Sequence, residues 1–442
     1  MRVYIQKLGC PKNDVDAEYI AGRLVDDGHE VVASAELADA VIVNTCGFIL
    51  PAKEESINEI LRLGQLKKAG VFQRLYATGC LSQKHGDEML KGMPELDGAF
   101  GLGALDALAK TIGSGAVNKK TFKTESRHLG YMEWRDRFLF DSLPYAYVKI
   151  SDGCDRACSY CTIPSIRGRY RSRPLASIVR EAAHLAANGK RELILVSQEA
   201  TMWGTELPGS ATVIDLLQAL DRVSGIEWIR LMYLHPAALT DELIDYMAAP
   251  GNKTLAYFDL PLQHVNDDIL KRMRRTVGRA GIERMLDRIR MAAPHGTLRT
   301  TFIVGLPGET ERRFGELVEF MERWKFDRLG VFPYSAEAGT PAQRMPGQVP
   351  ERVKNERVDI VMSRQREYAL AQNERLTGTT VEVLIDSVSE GEAIGRTRAD
   401  CPEIDQEVHI TGDGLAVGSI CRVRVEAADG YDLRGTPAKE QP

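Results

Sequence analysis

Strand-like and helix-like segments alternate along most of the chain, and this alternation restricts the fold more than any other feature of the sequence. Near the N-terminus, apolar segments 2–10, 38–48 and 73–80 have the pattern of buried strands. Amphipathic segments 14–28 and 52–70 between them follow a helical period and end at glycine. Strand–helix–strand order with right-handed crossovers predicts an open parallel sheet with helices on both faces.

We assign this N-terminal α/β domain to residues 1–112. Asn13 and Asp14 are candidate caps for its first helix, since short polar side chains bind free backbone N–H groups. Gly28 is placed to end the same helix.

A connector rich in glycine and lysine, roughly 113–142, precedes a longer strand–helix series. Six strand–helix units there predict a partial (β/α)6 barrel of the TIM type over residues 140–378, with chemistry at the carboxyl ends of its strands. Short alternating segments with glycine turns then predict a small antiparallel β-barrel over residues 379–442.

The composition sets the broad class of the protein. A chain of 442 residues suggests about three domains, and 44% hydrophobic with 27% charged residues is typical of a globular protein. No apolar run approaches the roughly 20 residues that span a bilayer, and the N-terminus lacks the apolar core of a signal peptide. We therefore expect a cytoplasmic protein without membrane contact.

Cys154, Cys158 and Cys161 fall within eight positions, just after the first barrel strand. Thiolates at this spacing can bind three corners of an iron–sulfur cluster. A structural zinc site is the alternative, but it needs a fourth ligand, and no further Cys or His lies between Asp152 and Arg173. An open metal position is typical of catalytic sites, so the missing ligand is expected to be a substrate.

Cys10, Cys46 and Cys80 each close a predicted strand of the N-terminal domain. Parallel strands end at one edge of their sheet, so the three thiols should converge there. The alternative is that each is simply a small buried hydrophobic residue. Three equivalent strand ends favour a second metal site, again with one open position.

The Cys154–Cys161 spacing, with Tyr160 before its last cysteine and a barrel behind it, resembles the radical S-adenosylmethionine (SAM) superfamily. The resemblance implies a [4Fe–4S] cluster whose free iron binds SAM and, on reduction, cleaves it to a 5′-deoxyadenosyl radical. Segments 197–199 and 302–310 resemble the superfamily's SAM-contacting stretches. The SAM contacts that the resemblance implies are Tyr160, Ser197, Gln198, Gly305 and Pro307.

Two three-cysteine sets followed by a small β-barrel resemble one family, the methylthiotransferases, over essentially the whole chain. The resemblance implies that the C-terminal barrel is a TRAM domain and that a second, auxiliary [4Fe–4S] cluster carries sulfur. One SAM supplies the methyl group and another supplies the radical. An electron donor such as flavodoxin or ferredoxin is implied, and no catalytic residue beyond the cluster ligands.

One branch of this family modifies the β-carbon of an aspartate in small-subunit ribosomal protein twelve, and another modifies transfer-RNA adenosine. Segments 8–18, 257–275, 330–341 and 395–405 resemble the ribosomal-protein branch. The transfer-RNA branch typically has Cys-Gln-Met-Asn where this chain has Cys-Pro-Lys-Asn, at residues 10–13. We therefore expect an aspartate methylthiotransferase, with transfer-RNA modification as the alternative and a non-catalytic electron-transfer protein as a further one.

Charge agrees with a ribosomal protein, free or within a ribosomal particle, as partner. Residues 379–442 carry 13 acidic against six basic residues, a net charge of −7. Such a surface repels RNA and suits a basic protein, although it is also compatible with a merely solvated acidic face. Segment 403–407 is the candidate contact loop.

Four arginines just after the cysteine loop keep RNA contact open. Arg167, Arg169, Arg171 and Arg173 alternate, so an extended segment would place them on one side. We favour a second role, in which some of them hold a carboxylate of SAM or of the target aspartate and the others are solvated, because arginine binds carboxylates bidentately.

Overall fold

The computed structural model describes residues 1–114, the backbone of 122–123, and residues 137–438. Most of the predicted connector, 113–142, therefore lies outside the described residues. In the described part of the chain, no helix is both long and apolar enough to cross a membrane.

The N-terminal domain contains a six-stranded sheet in which all strands are parallel. The strand order is β2-β1-β3-β4-β5-β6, so the chain switches direction across the sheet between β1 and β3. In sheets of this type, ligand sites form outside the carboxyl ends of the strands at the switch point. The strands are β1 Arg2–Lys7, β2 Glu30–Val31, β3 Ala40–Thr45, β4 Arg74–Gly79, β5 Gly98–Phe100 and β6 Phe122–Lys123.

Helices cover both faces of this sheet, as the strand–helix alternation predicts. One buried cluster joins the sheet to α1 and α4, and a second joins it to α2 and α3. The helices are α1 Pro11–Asp26, α2 Leu50–Lys68, α3 Cys80–Gly92 and α4 Leu105–Gly113.

The first helix begins earlier than the predicted caps. Pro11 occupies its first turn, where a missing N–H costs nothing, and Cys10 is the N-cap. Asn13 therefore lies inside α1, and its buried side chain is available for other contacts.

The central domain has six parallel strands in two three-stranded sheets. A bridge between Ile229 and Thr254, and a 2.9 Å bond from Leu234 N to the Asp259 carbonyl, join the two sheets. Among the described strands, β7 and β14 each pair on one side only, so the barrel is open between them. The strands are β7 Tyr145–Lys149, β10 Glu192–Val196, β11 Trp228–Leu231, β12 Tyr257–Gln263, β13 Thr297–Val304 and β14 Arg328–Pro333.

Helices on the outside of the barrel bury the apolar outward face of its strands. A short hairpin-like pair, β8 Ser151–Asp152 with β9 Arg171–Ser172, flanks the cysteine loop. The helices are α5 Ile163–Ile166, α6 Leu175–Ala187, α7 Val213–Asp221, α8 Asp241–Ala248, α9 Asp267–Arg272, α10 Arg279–Ala292, α11 Glu311–Trp324 and α12 Glu351–Leu376.

Five strands form the C-terminal domain, a closed barrel in the order β15-β16-β17-β19-β18. Its core is a separate cluster of buried aliphatic side chains. The strands are β15 Thr380–Ser389, β16 Glu392–Thr397, β17 Val408–Thr411, β18 Ile420–Asp429 and β19 Asp432–Pro437.

Buried ion pairs dock this small barrel onto the large one. Glu192, fully buried on β10, lies 2.8 Å from Arg230 on β11 and 2.8 Å from Arg396 of the small barrel. Burial would raise the pKa of Glu192, but Arg396 and Arg230 together lower it. Arg299 and Arg328 make further ion pairs with Asp405 and Asp400 of the small barrel.

Replacing the Glu192 carboxylate tests how much its two buried ion pairs contribute to stability. Glu192→Gln leaves two buried guanidinium groups facing a neutral amide, so we expect the free energy of unfolding to fall by about 3–5 kcal/mol. Urea denaturation of the wild type and the variants, monitored by circular dichroism, measures the fall in the free energy of unfolding. Glu382→Gln, which breaks an exposed 3.0 Å pair with Arg398, is the control and should cost at most about 1 kcal/mol. Equal losses in both variants would contradict the argument.

Candidate active site

Cys10, Cys46 and Cys80 lie at the carboxyl edge of the N-terminal sheet. They follow β1, β3 and β4, which are neighbours in the sheet, and Cys80 is within electrostatic reach of the other two. Cys46 and Cys80 are buried, and Cys10 is partly exposed. The sheet thus gathers three thiols that are far apart in sequence.

Glycines before two of these cysteines allow the close approach. Gly9 has φ +99°, and a Cβ there would lie 2.8 Å from the Cys46 Cβ and 3.2 Å from its Sγ. Gly79 has φ +96°, and a Cβ there would lie 2.4 Å from the Thr45 carbonyl oxygen. Both positions therefore require glycine for conformation and for space.

Asn13 connects the loops that carry the three thiols. Its Nδ2 donates to the carbonyls of Leu8, at 2.9 Å, and Thr45, at 3.2 Å, which lie just before Cys10 and Cys46. Its Oδ1 lies 3.8 Å from the Cys80 Sγ. Asn13 thus fixes the relative positions of the loops rather than capping α1.

The second cysteine loop lies between β8 and α5, and it is clamped at Ser159. Ser159 N donates to the Met273 carbonyl at 3.1 Å, and its Oγ donates to the Arg272 carbonyl at 2.6 Å. Ala342 N donates to the Ser159 carbonyl at 2.9 Å. The cysteine loop is therefore fixed by two later segments of the chain, one at the end of α9 and one after β14.

Backbone N–H groups point at two sulfurs of this loop. Arg156 N lies 3.4 Å from the Cys154 Sγ, and Ile163 N lies 3.4 Å from the Cys161 Sγ. Burial raises the pKa of Cys154 to about 11 and that of Cys161 to about 12, while these N–H groups lower it. The same N–H groups can stabilise a thiolate that binds a metal.

Three of the predicted SAM contacts border the cysteine loop or the turn after β13. Tyr160 packs against a buried cluster that includes Leu306, so the cysteine loop adjoins the turn holding Gly305 and Pro307. Gly305 N donates to Glu309 Oε1 at 3.0 Å, which anchors the turn. The structure therefore places Tyr160, Gly305 and Pro307 at one edge of the barrel.

Ser197 and Gln198 follow β10 at the same edge. Ser197 is fully buried, and its Oγ accepts from Glu199 N at 3.1 Å. Both polar atoms of the Gln198 side chain are buried without a hydrogen-bond partner in the described structure. A buried amide normally has partners, so Gln198 fits a polar ligand such as the methionine part of SAM.

Arg167 joins the two thiol sets. Its guanidinium lies 3.0 Å from Asp152, two residues before Cys154, and 3.1 Å from Asp16 of α1. It also donates to Asn13 Oδ1 at 2.9 Å and lies 3.5 Å from the Cys80 Sγ. One side chain of the central domain therefore reaches the thiol set of the N-terminal domain.

Lys149 completes this buried group of charges. It pairs with Asp16 and lies 3.2 Å from Asp152. Sequence reasoning missed Lys149, Asp16 and Asp152, because the group forms only when Asp16 of the N-terminal domain meets three charges of the central domain. Asp152 was the one detectable signal, since it directly precedes the Gly153–Cys154 pair.

The four alternating arginines do not share one side, since the segment is not extended. Arg167 and Arg173 are buried in ion pairs, and Arg171 is partly buried. Arg169 is 89% exposed and pairs with Asp155. The predicted strip is therefore wrong: most of these arginines hold carboxylates of the chain itself.

Within the described residues, no group of three or more His, Cys, Asp or Glu side chains is placed to hold a metal ion. Each thiol set nevertheless supplies three soft ligands. Such ligands suit an iron–sulfur cluster, whose thiolates are farther apart than the ligands of one ion.

Three parts of the chain match known families. Residues 2–101 match uncharacterized protein family UPF0004, residues 148–321 match the radical SAM superfamily, and residues 377–437 match the TRAM domain. "Ribosomal protein uS12 methylthiotransferase RimO" of Thermosipho africanus is 42% identical over 440 residues, covering 100% of both chains. The RimO protein of Desulforamulus reducens is 43% identical over 438 residues, covering 98% of each.

The chain belongs to the RimO family. It is a radical SAM methylthiotransferase, and membership of the superfamily implies an iron–sulfur cluster and SAM as cofactors. The predicted fold class and the choice of the ribosomal-protein branch over the transfer-RNA branch are confirmed.

Solved structures with low sequence identity support the RimO fold described above. The radical SAM methyltransferase TsrM from Kitasatospora setae superposes with a TM-score of 0.54 at 17% identity, covering 77% of this chain and 76% of TsrM. The radical SAM enzyme OxsB gives a TM-score of 0.51 at 13% identity, covering 82% of this chain and 55% of OxsB.

Gly9→Ala should disrupt the N-terminal thiol set selectively. The added Cβ meets Cys46, so we expect the iron bound after anaerobic reconstitution to fall by about half, because one of two clusters is lost. Iron analysis and electron paramagnetic resonance measure this. Gly92→Ala, with nothing within 4 Å of the added Cβ, is the control and should keep wild-type iron. Full iron content in Gly9→Ala would show that Cys46 does not need this space.

Proposed function

We propose that this enzyme adds a methylthio group to the β-carbon of an aspartate in ribosomal protein uS12. The observation that carries the proposal is the full-length similarity to uS12 methylthiotransferases, at 42% identity with no part of either chain left out. Both thiol sets lie within this similarity, and each lies at the carboxyl ends of parallel strands, where sites form.

The two thiol sets would hold the clusters. Cys154, Cys158 and Cys161 are the proposed ligands of the radical SAM cluster, and Cys10, Cys46 and Cys80 those of the auxiliary cluster. When bound, the two clusters and SAM supply the radical, the sulfur and the methyl group that the reaction needs. Three thiols per set leave one metal position open for SAM or for sulfur.

The remaining residues of the site position these groups and exclude water. Arg156 pairs with buried Glu199 at 2.8 Å, which holds the start of the cysteine loop against the end of β10. Gln198 beside it is the proposed contact to SAM. Arg167 bonds across the domain boundary and so holds the N-terminal thiol set against the segment that leads into the second cysteine loop.

Charge on the small barrel supports a basic protein partner. Asp386, Asp400 and Asp405 form ion pairs with arginines of the chain, so they do not contribute to the outer surface. Of the candidate contact loop, Glu403 and Glu407 remain exposed. The outer surface stays acidic, which suits a ribosomal protein, free or in the particle, through charge complementarity. We further propose a cytoplasmic location and a one-electron donor of the flavodoxin or ferredoxin class.

Cysteine variants separate the two sites. We expect Cys154→Ala to abolish SAM cleavage by the reduced enzyme, because the open iron that binds SAM is lost. We expect Cys46→Ala to retain cleavage and to lose methylthio transfer. Chromatography of 5′-deoxyadenosine and mass spectrometry of uS12 measure the two activities.

Cys421→Ala is the control for these variants, because this thiol lies on β18 of the small barrel. It should retain both activities. Loss of both activities in a Cys46→Ala protein that unfolds like the wild type would contradict the division of labour.

A competition decides the substrate. The reconstituted enzyme, with SAM, sulfide and reductant, receives purified uS12 and bulk transfer RNA in one anaerobic tube. We expect mass spectrometry to find the methylthio group on an aspartate of uS12 and none on adenosine. Label on adenosine would overturn the proposed function.

A further inference from the structure

Lys12 is a buried ammonium group without an acidic partner. Its residue is only 8% exposed, and no carboxylate of the described chain lies within salt-bridge distance of its Nζ. Its Nζ makes a long contact of 3.4 Å to the Ser197 carbonyl and also interacts with the Tyr233 side chain and the Cys10 thiol. An ammonium has three hydrogen-bond donors, and a buried charge is costly unless it is paired. The Lys12 ammonium can therefore bind an anion.

Lys12 lies beside the N-terminal thiol set and reaches the edge of the barrel that carries the second set. It lies two residues after Cys10 on α1, and its side chain crosses to the carboxyl ends of β10 and β11. There its Nζ lies 3.6 Å from the centroid of the Tyr233 ring. A molecule bound where α1 meets the carboxyl ends of β10 and β11 would therefore meet this ammonium.

Tyr233, whose ring makes this contact, has a strained backbone conformation. Its φ is +62°, a region that residues with a side chain rarely adopt. Its backbone N donates to Asp259 Oδ2 at 2.9 Å, and its carbonyl accepts from Ala200 N at 3.2 Å. Such strain concentrates at functional sites, and an aromatic face stabilises a cation without neutralising it.

Three other cations near the two thiol sets pair with carboxylates of the chain, and Arg275, near Cys161, bonds His235 Nε2 at 2.9 Å and the Pro261 carbonyl at 2.6 Å. Arg167 and Lys149 bind Asp16 and Asp152, and Arg156 binds Glu199. A carboxylate that arrives with the substrate therefore meets in Lys12 a buried cation that no carboxylate of the described chain neutralises.

We propose that Lys12 binds the side-chain carboxylate of the target aspartate. The β-carbon is bonded directly to this carboxyl group, so holding the carboxylate fixes the reacting carbon between the two thiol sets. The inference rests on the proposed function and names the residue that recognises its substrate. The carboxylate of SAM has the same chemistry, and Lys12 Nζ contacts the carbonyl of Ser197, a predicted SAM contact, so the test measures both carboxylates.

The test compares binding of uS12 with that of a uS12 variant in which the modified aspartate is asparagine. Full-length enzyme with both clusters is used anaerobically, and dissociation constants are measured by fluorescence anisotropy. Affinity for SAM and its cleavage without uS12 are measured in parallel. We expect the wild type to bind the aspartate form about 10- to 100-fold more tightly, since one charge-assisted bond distinguishes the two.

Lys12→Met keeps the length of the side chain and removes the charge, so it should bind both forms equally and cleave SAM normally. Lys12→Arg should keep the preference for aspartate. Lys7→Met, which removes a partly exposed lysine of β1 that lies 3.9 Å from Asp14, is the control and should behave as the wild type. If Lys12→Met does not assemble its clusters, Lys12→Gln makes the same comparison with a polar neutral group.

Four outcomes overturn the inference. Preserved discrimination in the neutral variants would show that Lys12 does not bind the target. Weaker SAM binding with preserved discrimination would assign Lys12 to the SAM carboxylate. A wild type that modifies uS12 but binds both forms equally would remove the inference and leave the proposed function standing, whereas a wild type that modifies no aspartate removes both.

Discussion

Four buried charges hold the N-terminal domain against the central barrel, and the active-site geometry depends on them. Asp16 comes from α1, while Lys149, Asp152 and Arg167 come from the barrel and its cysteine loop. Without Asp16 the barrel would bury a net positive charge, and Asp16 alone would be a buried unpaired carboxylate, so each domain needs the other. Docking that neutralises this group also brings Arg167 of the barrel to the Cys80 thiol of the N-terminal set.

Buried ion pairs also close the opposite end of the central barrel, but there they dock the small barrel and do not position a thiol set. Glu192, Arg230 and Arg396 are buried between the two barrels, and no cysteine of the proposed clusters is near them in the fold. The amino ends of barrel strands serve stability and the carboxyl ends serve chemistry, which matches this division. Part of the acidic character of the C-terminal domain is therefore structural, and only its exposed remainder is free to meet a partner.

Sequence periodicity predicted the strands and the convergence of Cys10, Cys46 and Cys80, because both follow from local patterns and from the common edge of parallel strands. It failed where long-range pairing decides the role of a side chain. Asn13 had the sequence position of a helix cap, yet it binds the loops beside Cys10 and Cys46. Arg167 had the pattern of an exposed strip, yet its partner Asp16 lies 151 residues away in the sequence.

The two thiol sets solve the same electrostatic problem with different groups. Burial raises the pKa of Cys80 to about 12 and that of Cys161 to about 12, so each needs nearby positive charge to become a thiolate ligand. Cys161 receives it from a backbone N–H of its own loop, which needs no other domain. Cys80 receives it from Arg167, which belongs to the barrel. Cys161 is therefore stabilised within one domain, whereas Cys80 receives this charge only when two domains are docked.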